Sequence, residues 1–426
     1  RLEVLSEQLD VRTVEGNAAH PDVLERAEAA DADLLIAVTG DDEVNIVASL
    51  VCRCLYNTRP NVVRLRSTAY RSEAAKGLFE GSDQIPIDER INPEQVVVNQ
   101  FDELLKHPGS LQVLSFAEGL VKLAALRLSP SSPMVGKRLS ELHRDLRKIR
   151  FKVVAIYRGE GKVALKDTTM LEHHDEVFFL CFPDDIDKLI RELNGDFRPV
   201  RRVAVAGCGN IGTALAKRIE RRYDVKVLEP DEQQAARAAE TLRRATVIRA
   251  DATQREMLEK ELLQEFDVFC AVTNDDEVNF MASVLAKQLG IPHAIALISN
   301  SAYADLVELR NLLDVAISPK QAAAGEILSV IRTGAVEHAY SVRKGVAEAM
   351  MVRIQDGASI KPVGKTVQEL PLRPGVSVGA LVRNGRAIIE PEGEVLQAND
   401  SIILFVPDKQ AAGKIARQFS LSPFHL

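Results

Sequence analysis

The second half of the chain alternates two hydrophobic patterns. Arg201–Ala206 (RRVAVA) ends in a short apolar run with β-branched residues, which predicts a strand. GCGNIG (Gly207–Gly212) follows, and Thr213–Arg222 then places Leu215, Ala216 and Ile219 on one side of a helix. Val225–Leu228 reads as the next strand and runs into Glu229. The alternation continues with helix Asp231–Arg243, strand Thr246–Arg249, helix Gln254–Leu263, strand Val268–Val272, helix Glu277–Leu289 and strand Ala294–Leu297. Strands alternating with helices predict a parallel sheet covered on both faces.

The pattern is used twice. AVTGDDEVN (Ala37–Asn45) recurs as AVTNDDEVN (Ala271–Asn279), eight of nine residues identical at an offset of 234. The same offset pairs Gly16-Asn17-Ala18 with Ala250-Asp251-Ala252 and Leu24 with Leu258, and Thr68-Ala69-Tyr70 matches Ser301-Ala302-Tyr303 at 233. Further on, Val135-Gly136-Lys137 with SEL matches Val363-Gly364-Lys365 with QEL at 228, and Asp175–Leu180 resembles Asp400–Phe405 at 225. The order is therefore A-B-A′-B′. Short strands are expected in the B units around Met350–Ile354, Gly379–Arg383 and Ser401–Val406, with a helix near Val367–Leu370. Their counterparts are Lys122–Leu128, Val153–Arg158 and Val177–Phe182. Units of this size, under roughly 90 residues, need a partner to complete a core. Pro93–Lys106 and Lys320–Arg332 read as helices between A and B, and Arg198–Arg202 as the hinge between the halves. The expected domains are 1–110, 111–197, 198–320 and 321–426. Subtracting 234 from Gly207 or Glu229 falls before residue 1, so the first copy is expected to lack about thirty residues that carry its first strand and glycine loop.

Composition narrows the function. A net charge of −7 and a pI near 5.8 argue against a nucleic-acid footprint. No apolar run approaches the roughly 18 residues of a membrane span, and the opening RLEVLSEQLD has no apolar core of a signal peptide. The five cysteines (52, 54, 181, 208 and 270) form no CxxC pair, which fits a reducing cytoplasm.

The strongest chemistry lies in the glycine loop. GxGxxG alone is weak evidence, but here it follows a strand, opens a helix and precedes an acid at the end of the next strand. This makes each A unit a Rossmann-like α/β domain. Gly207 permits the tight turn, Gly209 the approach of a pyrophosphate, and Gly212 close helix–sheet packing, while Cys208, Asn210 and Ile211 supply backbone N–H groups. Glu229 would accept from ribose hydroxyls and repel a 2′-phosphate, favouring NAD over NADP. Asp251 lies where an adenine would meet the sheet edge. Thr39-Gly40 and Thr273-Asn274 follow equivalent strands at the ligand-binding edge, although DDEVN also fits a helix N-terminus whose acids offset the dipole. Arg64 and Arg66 flank Leu65 and reach either phosphates or solvent. The second copy has Leu297 and Ser299, or Ile298 and Asn300, at those places, so the two sites are not equivalent. His173-His174 sits in a turn with no third ligand at metal spacing, and no acid–base or nucleophile motif is found. A nucleotide sensor is favoured over the alternative, an NAD-dependent dehydrogenase with atypical substrate domains; a soluble nucleotide-responsive scaffold is a third reading.

At GCGNIG, Glu229 and the paired TGDDEVN and TNDDEVN motifs, the chain resembles the tandem RCK (KTN) family of regulators of bacterial potassium uptake, over essentially its whole length. The resemblance implies two RCK N-terminal Rossmann-like domains, each followed by a small α+β RCK C-terminal domain. It implies a non-enzymatic protein that binds NAD(H), and in some members ATP or ADP, at the carboxyl edge of each sheet. A homo-oligomeric ring, expected as a tetramer, would sit in the cytoplasm against the inner membrane and gate a channel-like potassium transporter. Carried onto this chain, the second site uses Gly207–Gly212, Glu229, Asp251, Thr273 and Asn274, and the first Thr39, Gly40 and Arg64.

Overall fold

The expected order of strands and helices in the second half is found in the computed structural model, which describes residues 2–67, 69–79, 84–195, 198–261, 265–300, 302–303, 312–331 and 335–420. Thr68, Leu263, Ser301 and Arg332, which entered the expectations above, lie outside the described residues. The chain divides into two compact units, residues 1–94 with 326–331 and residues 95–325 with 332–426.

The first unit opens with α1 (Leu2–Gln8) and α2 (Pro21–Arg26). A three-stranded parallel sheet follows, made of β1 (Leu35–Ala37), β2 (Asn61–Arg64) and β3 (Glu89–Ile91). Helix α3 (Asp42–Tyr56) links the first two strands, and the short α4 (Lys76–Phe79) lies before the third. Ile46 and Ala48 of α3 pack with Ala37, Val63 and Leu65, which accounts for the apolar positions of that helix.

The second unit contains two antiparallel lobes and the second parallel sheet. Helix α5 (Pro93–Lys106) covers the span its pattern predicts, and the unit boundary after Glu94 falls in its first turn. The first lobe is formed by β4 (Ser110–Phe116), β5 (Val121–Arg127), α6 (Leu139–Asp145), β6 (Phe151–Arg158), β7 (Gly161–Val163), β8 (Glu176–Cys181) and α7 (Ile186–Asn194), with sheet order β4-β5-β8-β6-β7. The parallel sheet comprises β9 (Arg202–Ala206), α8 (Asn210–Ile219), β10 (Asp224–Glu229), α9 (Glu232–Thr241), β11 (Thr246–Arg249), α10 (Arg255–Lys260), β12 (Val268–Ala271), α11 (Asp276–Gln288), β13 (His293–Leu297) and β14 (Val315–Ile317). Its order, β11-β10-β9-β12-β13-β14, reverses between β9 and β12, and such a reversal opens a crevice at the carboxyl ends of the strands. After α12 (Pro319–Ile331), the second lobe repeats the first with β15 (Val336–Val342), β16 (Ala347–Arg353), β17 (Ser377–Arg383), β18 (Arg386–Ile389), β19 (Ser401–Val406) and α13 (Lys409–Phe419), in the order β15-β16-β19-β17-β18.

Three expectations change. The helix near Val367–Leu370 is a single 3₁₀ turn, Val367–Glu369. Pro371 is the cause, because the residue before a proline is pushed out of the helical region, and Leu370 is extended at φ −65°, ψ 131°. The first lobe has no proline there and forms α6 instead. Helix α8 starts at Asn210 rather than Thr213, so Gly212 lies inside it. Arg66 falls beyond the end of β2 at Arg64.

Each lobe carries a repeated ion pair. Arg158 grips the buried Asp175 with two hydrogen bonds, Nε at 2.8 Å and Nη2 at 2.9 Å. Arg383 grips Asp400 in the same way, at 2.9 and 2.8 Å. The two lobes also complete one another. Leu123, Val154, Tyr157, Phe178 and Leu180 of the first form a single core with Ala349, Met351, Ala380, Ile403 and Phe405 of the second. This meets the need of a small unit for a partner. The approach is close enough that a Cβ on Gly379 would stand 2.2 Å from Leu180 Cδ1 and 2.7 Å from Val154 Cγ1. Gly379→Val is therefore expected to destabilise the chain by about 1–3 kcal/mol through overpacking, read as a lowered urea midpoint at unchanged slope.

Candidate nucleotide site

The crevice between β9 and β12 is built by short-range geometry. Gly207 leaves β9 at φ +99°, a conformation that disfavours any residue with a side chain. It also lies against the next strand's exit: a Cβ there would stand 3.0 Å from the Thr273 backbone nitrogen. Gly212 fits under the loop, where a Cβ would stand 2.1 Å from the Gly207 carbonyl oxygen. Gly209 differs from both, since a Cβ on it would meet nothing within 4 Å. Two of the three glycines thus serve packing, and the third faces open space in front of a helix end. Helix α8 has Gly209 as its N-cap and no side-chain cap, so the first N–H groups of Asn210 and Ile211 are left for an anion.

Glu229 ends β10 beside this loop. The residue is 7% exposed, and its carboxylate accepts from the backbone N–H groups of Cys208 at 3.0 Å and Asp231 at 3.1 Å. An acid held at this place matches the ribose-binding position of a dinucleotide fold. Burial and the nearby Glu229 push the Cys208 thiol up to about 12, so it stays neutral and has no nucleophilic role at ordinary pH. Asp251 follows β11 and accepts from Thr253 through N at 2.9 Å and Oγ1 at 2.7 Å. Those bonds, with one from Gln254, hold its carboxyl below the usual range. The site residues present therefore suit a nucleotide with a pyrophosphate and a free ribose diol.

The repeated TxDDEVN motif proves to be a latch as well as an edge. Asn279 is fully buried, and its Oδ1 accepts from Thr273 N and Oγ1, both at 2.8 Å. Its Nδ2 donates to the carbonyls of Thr273 at 3.0 Å and Leu297 at 2.9 Å. Asp275 caps α11 through Glu277 N and Val278 N. Asp276 accepts from Ser299 N and Asn300 N, and Glu277 from the Tyr303 hydroxyl. Every polar letter of the motif except Asn274, which is exposed, is thereby engaged with the chain itself. The helix-cap reading of DDEVN is correct, and Asn279, Asp276 and Tyr303 are the functional-site supports that sequence reasoning passed over. Their signal was present in the repeat, which preserves the tyrosine along with the acids.

The first unit uses the same latch. Asn45 binds Thr39 and the Arg64 carbonyl, Asp42 binds Arg66 N and Ser67 N, and Tyr70 binds Glu43. Thr39 is thus tied into the latch, whereas Gly40 would have open space around a Cβ. Arg64 is half-buried and pairs with Glu94, which Arg66 also meets at 3.0 Å, so a phosphate there would compete with that carboxylate.

The TrkA-N domain matches residues 1–85 and 203–319, and the TrkA-C domain residues 123–194 and 351–419. The chain belongs to the TrkA family of potassium uptake proteins. The Trk system potassium uptake protein TrkA of Halomonas elongata is 40% identical over 99% of this chain and 92% of its own length. That of Vibrio alginolyticus is 39% identical over 100% and 93%. TrkA membership makes the chain a regulatory subunit of potassium uptake, not a dehydrogenase. Among solved structures, the RCK domain of GsuK has a TM-score of 0.58 at 18% identity, covering 98% of this chain and 87% of its own, and the GsuK channel bound to NAD has a TM-score of 0.57 at 17% identity, covering 98% and 72%. These likenesses establish the tandem RCK fold. Among the described residues no helix is long and apolar enough to cross a membrane, and no group of three or more His, Cys, Asp or Glu is placed to hold a metal ion.

Because Asn279 uses all its donors and acceptors in burial, Asn279→Ala is expected to cost about 2–4 kcal/mol, the range for orphaning several buried polar groups. Urea unfolding checks this, and a loss below about 0.5 kcal/mol, the size of an ordinary surface change, would contradict the latch.

Proposed function

We propose that this chain is an NAD(H)-sensing cytoplasmic subunit that gates a membrane potassium transporter, with the second Rossmann-like domain as its nucleotide site. The observation that carries this reading is the convergence of an uncapped helix N-terminus, an open Gly209 and the Glu229 carboxylate at one crevice. The pyrophosphate would lie against Gly209, Asn210 and Ile211, and Glu229 would exchange its bond from Cys208 N for ribose hydroxyls. Asp251 stands at the edge that an adenine would reach, and Asn274 is the exposed residue beyond Thr273. Bound nucleotide supplies a signal and no chemistry. A solved structure of similar fold is the GsuK channel bound to NAD, which supports the choice of ligand. ATP or ADP is the alternative occupant, since the loop recognises phosphate rather than nicotinamide. The first unit's Thr39 and Gly40 would line a second, weaker site without help from Arg64.

The wider reading is a homo-oligomeric ring, a tetramer by family expectation, held at the cytoplasmic face of the inner membrane against a Trk-type transporter. A ligand gates such a ring only by binding one of its shapes more tightly than another. The test begins with titration of NADH and ATP into the full chain. NADH is expected to bind, and Gly209→Asp to weaken it by more than about tenfold while leaving the fold intact, because a carboxylate enters the pyrophosphate position. Glu229→Gln is expected to weaken NADH by about tenfold and to narrow the preference against NADPH. Identical titrations for the unsubstituted and Gly209→Asp chains would sink the nucleotide reading. Potassium uptake by transporter-bearing cells, with and without each variant, then tests gating.

A further inference from the structure

Helix α5 leaves the first half of the chain yet packs on the second half's sheet: Val97, Val98, Phe101, Leu104 and Leu105 share a core with Val203, Val205, Leu215 and Ile219. Its polar side is equally specific. The Asp102 side chain is 2% exposed and takes Arg218 Nε at 2.8 Å, the Arg222 guanidinium, and Lys106 Nζ at 3.1 Å. Arg218 lies in the last turn of α8 and Arg222 just beyond it, so Asp102 holds the far end of the glycine-loop helix. Lys106 also meets Glu103 at 2.8 Å, and Glu103 in turn meets Lys122 of β5 at 2.5 Å. Lys122 is 13% exposed and donates to Ser115 Oγ as well. Burial alone would raise the Asp102 carboxyl, but Arg218, Arg222 and Lys106 outweigh it and keep the group charged. Glu103 is held charged in the same way by Lys106 and Lys122.

We infer that Asp102, Lys106 and Glu103 form a relay that couples nucleotide occupancy at the start of α8 to the first antiparallel lobe. This rests on the nucleotide reading above. The chain of contacts is continuous, from Arg218 through Asp102, Lys106 and Glu103 to Lys122. A buried carboxylate cannot leave its cations without a large desolvation penalty, so movement of α8 carries α5 and then β5 with it. Asp102 and Glu103 are positioning residues and do not meet the nucleotide. The relay is also one-sided. Aligning the two crossover helices on Pro93 and Pro319 sets Leu328 and Ser329 opposite Asp102 and Glu103. The duplicated helix therefore lacks both acids, and the coupling runs from the second nucleotide site to the first lobe.

The test is amide hydrogen exchange of the full chain with and without NADH, together with an NADH titration of each variant. In the unsubstituted chain, NADH is expected to change exchange across β5 by about fivefold, the low end of ordinary coupling energies. Glu103→Gln and Lys122→Met are expected to keep NADH affinity within about twofold while abolishing that change, and Lys122→Arg to retain it. A β5 response that survives both Glu103→Gln and Lys122→Met, or NADH binding by the unsubstituted chain with no β5 response, would overturn the relay and leave nucleotide binding standing. Absence of NADH binding by the unsubstituted chain would overturn the nucleotide reading and the relay with it. Should Glu103→Gln fail to fold, Lys122→Met and Lys122→Arg carry the comparison, because only the charge link distinguishes them.

Discussion

A buried amide fixes the crevice on which the nucleotide reading depends. Asn279 offers two donors and an acceptor with two lone pairs, and all are met by Thr273 and Leu297. It thereby ties the ends of β12 and β13 to the first turn of α11. Thr273, once fixed, forms the floor against which Gly207 must lie without a side chain. Gly207 sets its own carbonyl where only Gly212 fits beneath it, which fixes the start of α8. The direction of the free N–H groups at Gly209 therefore follows from a hydrogen-bond network on the opposite side of the crevice. Strength here comes from completeness, because a buried polar network with one unmet group costs more than an apolar core.

The same devices recur in both halves, which shows what the repeat preserves. The Asn45 and Asn279 latches have matching partners, and so do the Arg158–Asp175 and Arg383–Asp400 pairs in the lobes. These are interactions of the fold. The differences fall on charged residues outside these devices. Arg64 pairs with Glu94, where the second copy has an uncharged residue, and Asp102 with Glu103 has only Leu328 and Ser329 opposite.

The sequence made the parallel sheet legible because its strands are short apolar runs between amphipathic helices, and five of the six were placed to within a residue or two. Strand β14 (Val315–Ile317) was not foreseen, since three residues carry too little pattern. Strands β4 and β15 escaped for a different reason. Each is an edge strand whose burial is uneven, as in the mixed pattern of Val336–Val342, so neither shows an unbroken apolar run. The glycine loop and Glu229 were legible because their spacing is fixed by backbone geometry. The latch was visible as a repeated string, but the bonds that tie it to the following strand and loop join residues 18 or more apart, such as Asn279 and Leu297, and periodicity does not register them. The ion pair at Arg64 was hidden for the same reason, its partner lying 30 residues on.

Duplication within one chain explains why such asymmetry persists. Two separate copies of one gene product must use the same residues on both sides of a symmetric contact. A tandem chain has no such restriction, so an acid pair on one crossover helix can serve one nucleotide site alone. The shared core holds the two antiparallel lobes together, because Tyr157 and Phe178 of the first pack ring against ring with Phe405 of the second. With association secured by apolar burial, charged positions such as Asp102 and Arg64 are free to diverge. Divergence at those positions leaves the latches and the lobe cores intact, so two similar folds in one chain can carry different charged surroundings.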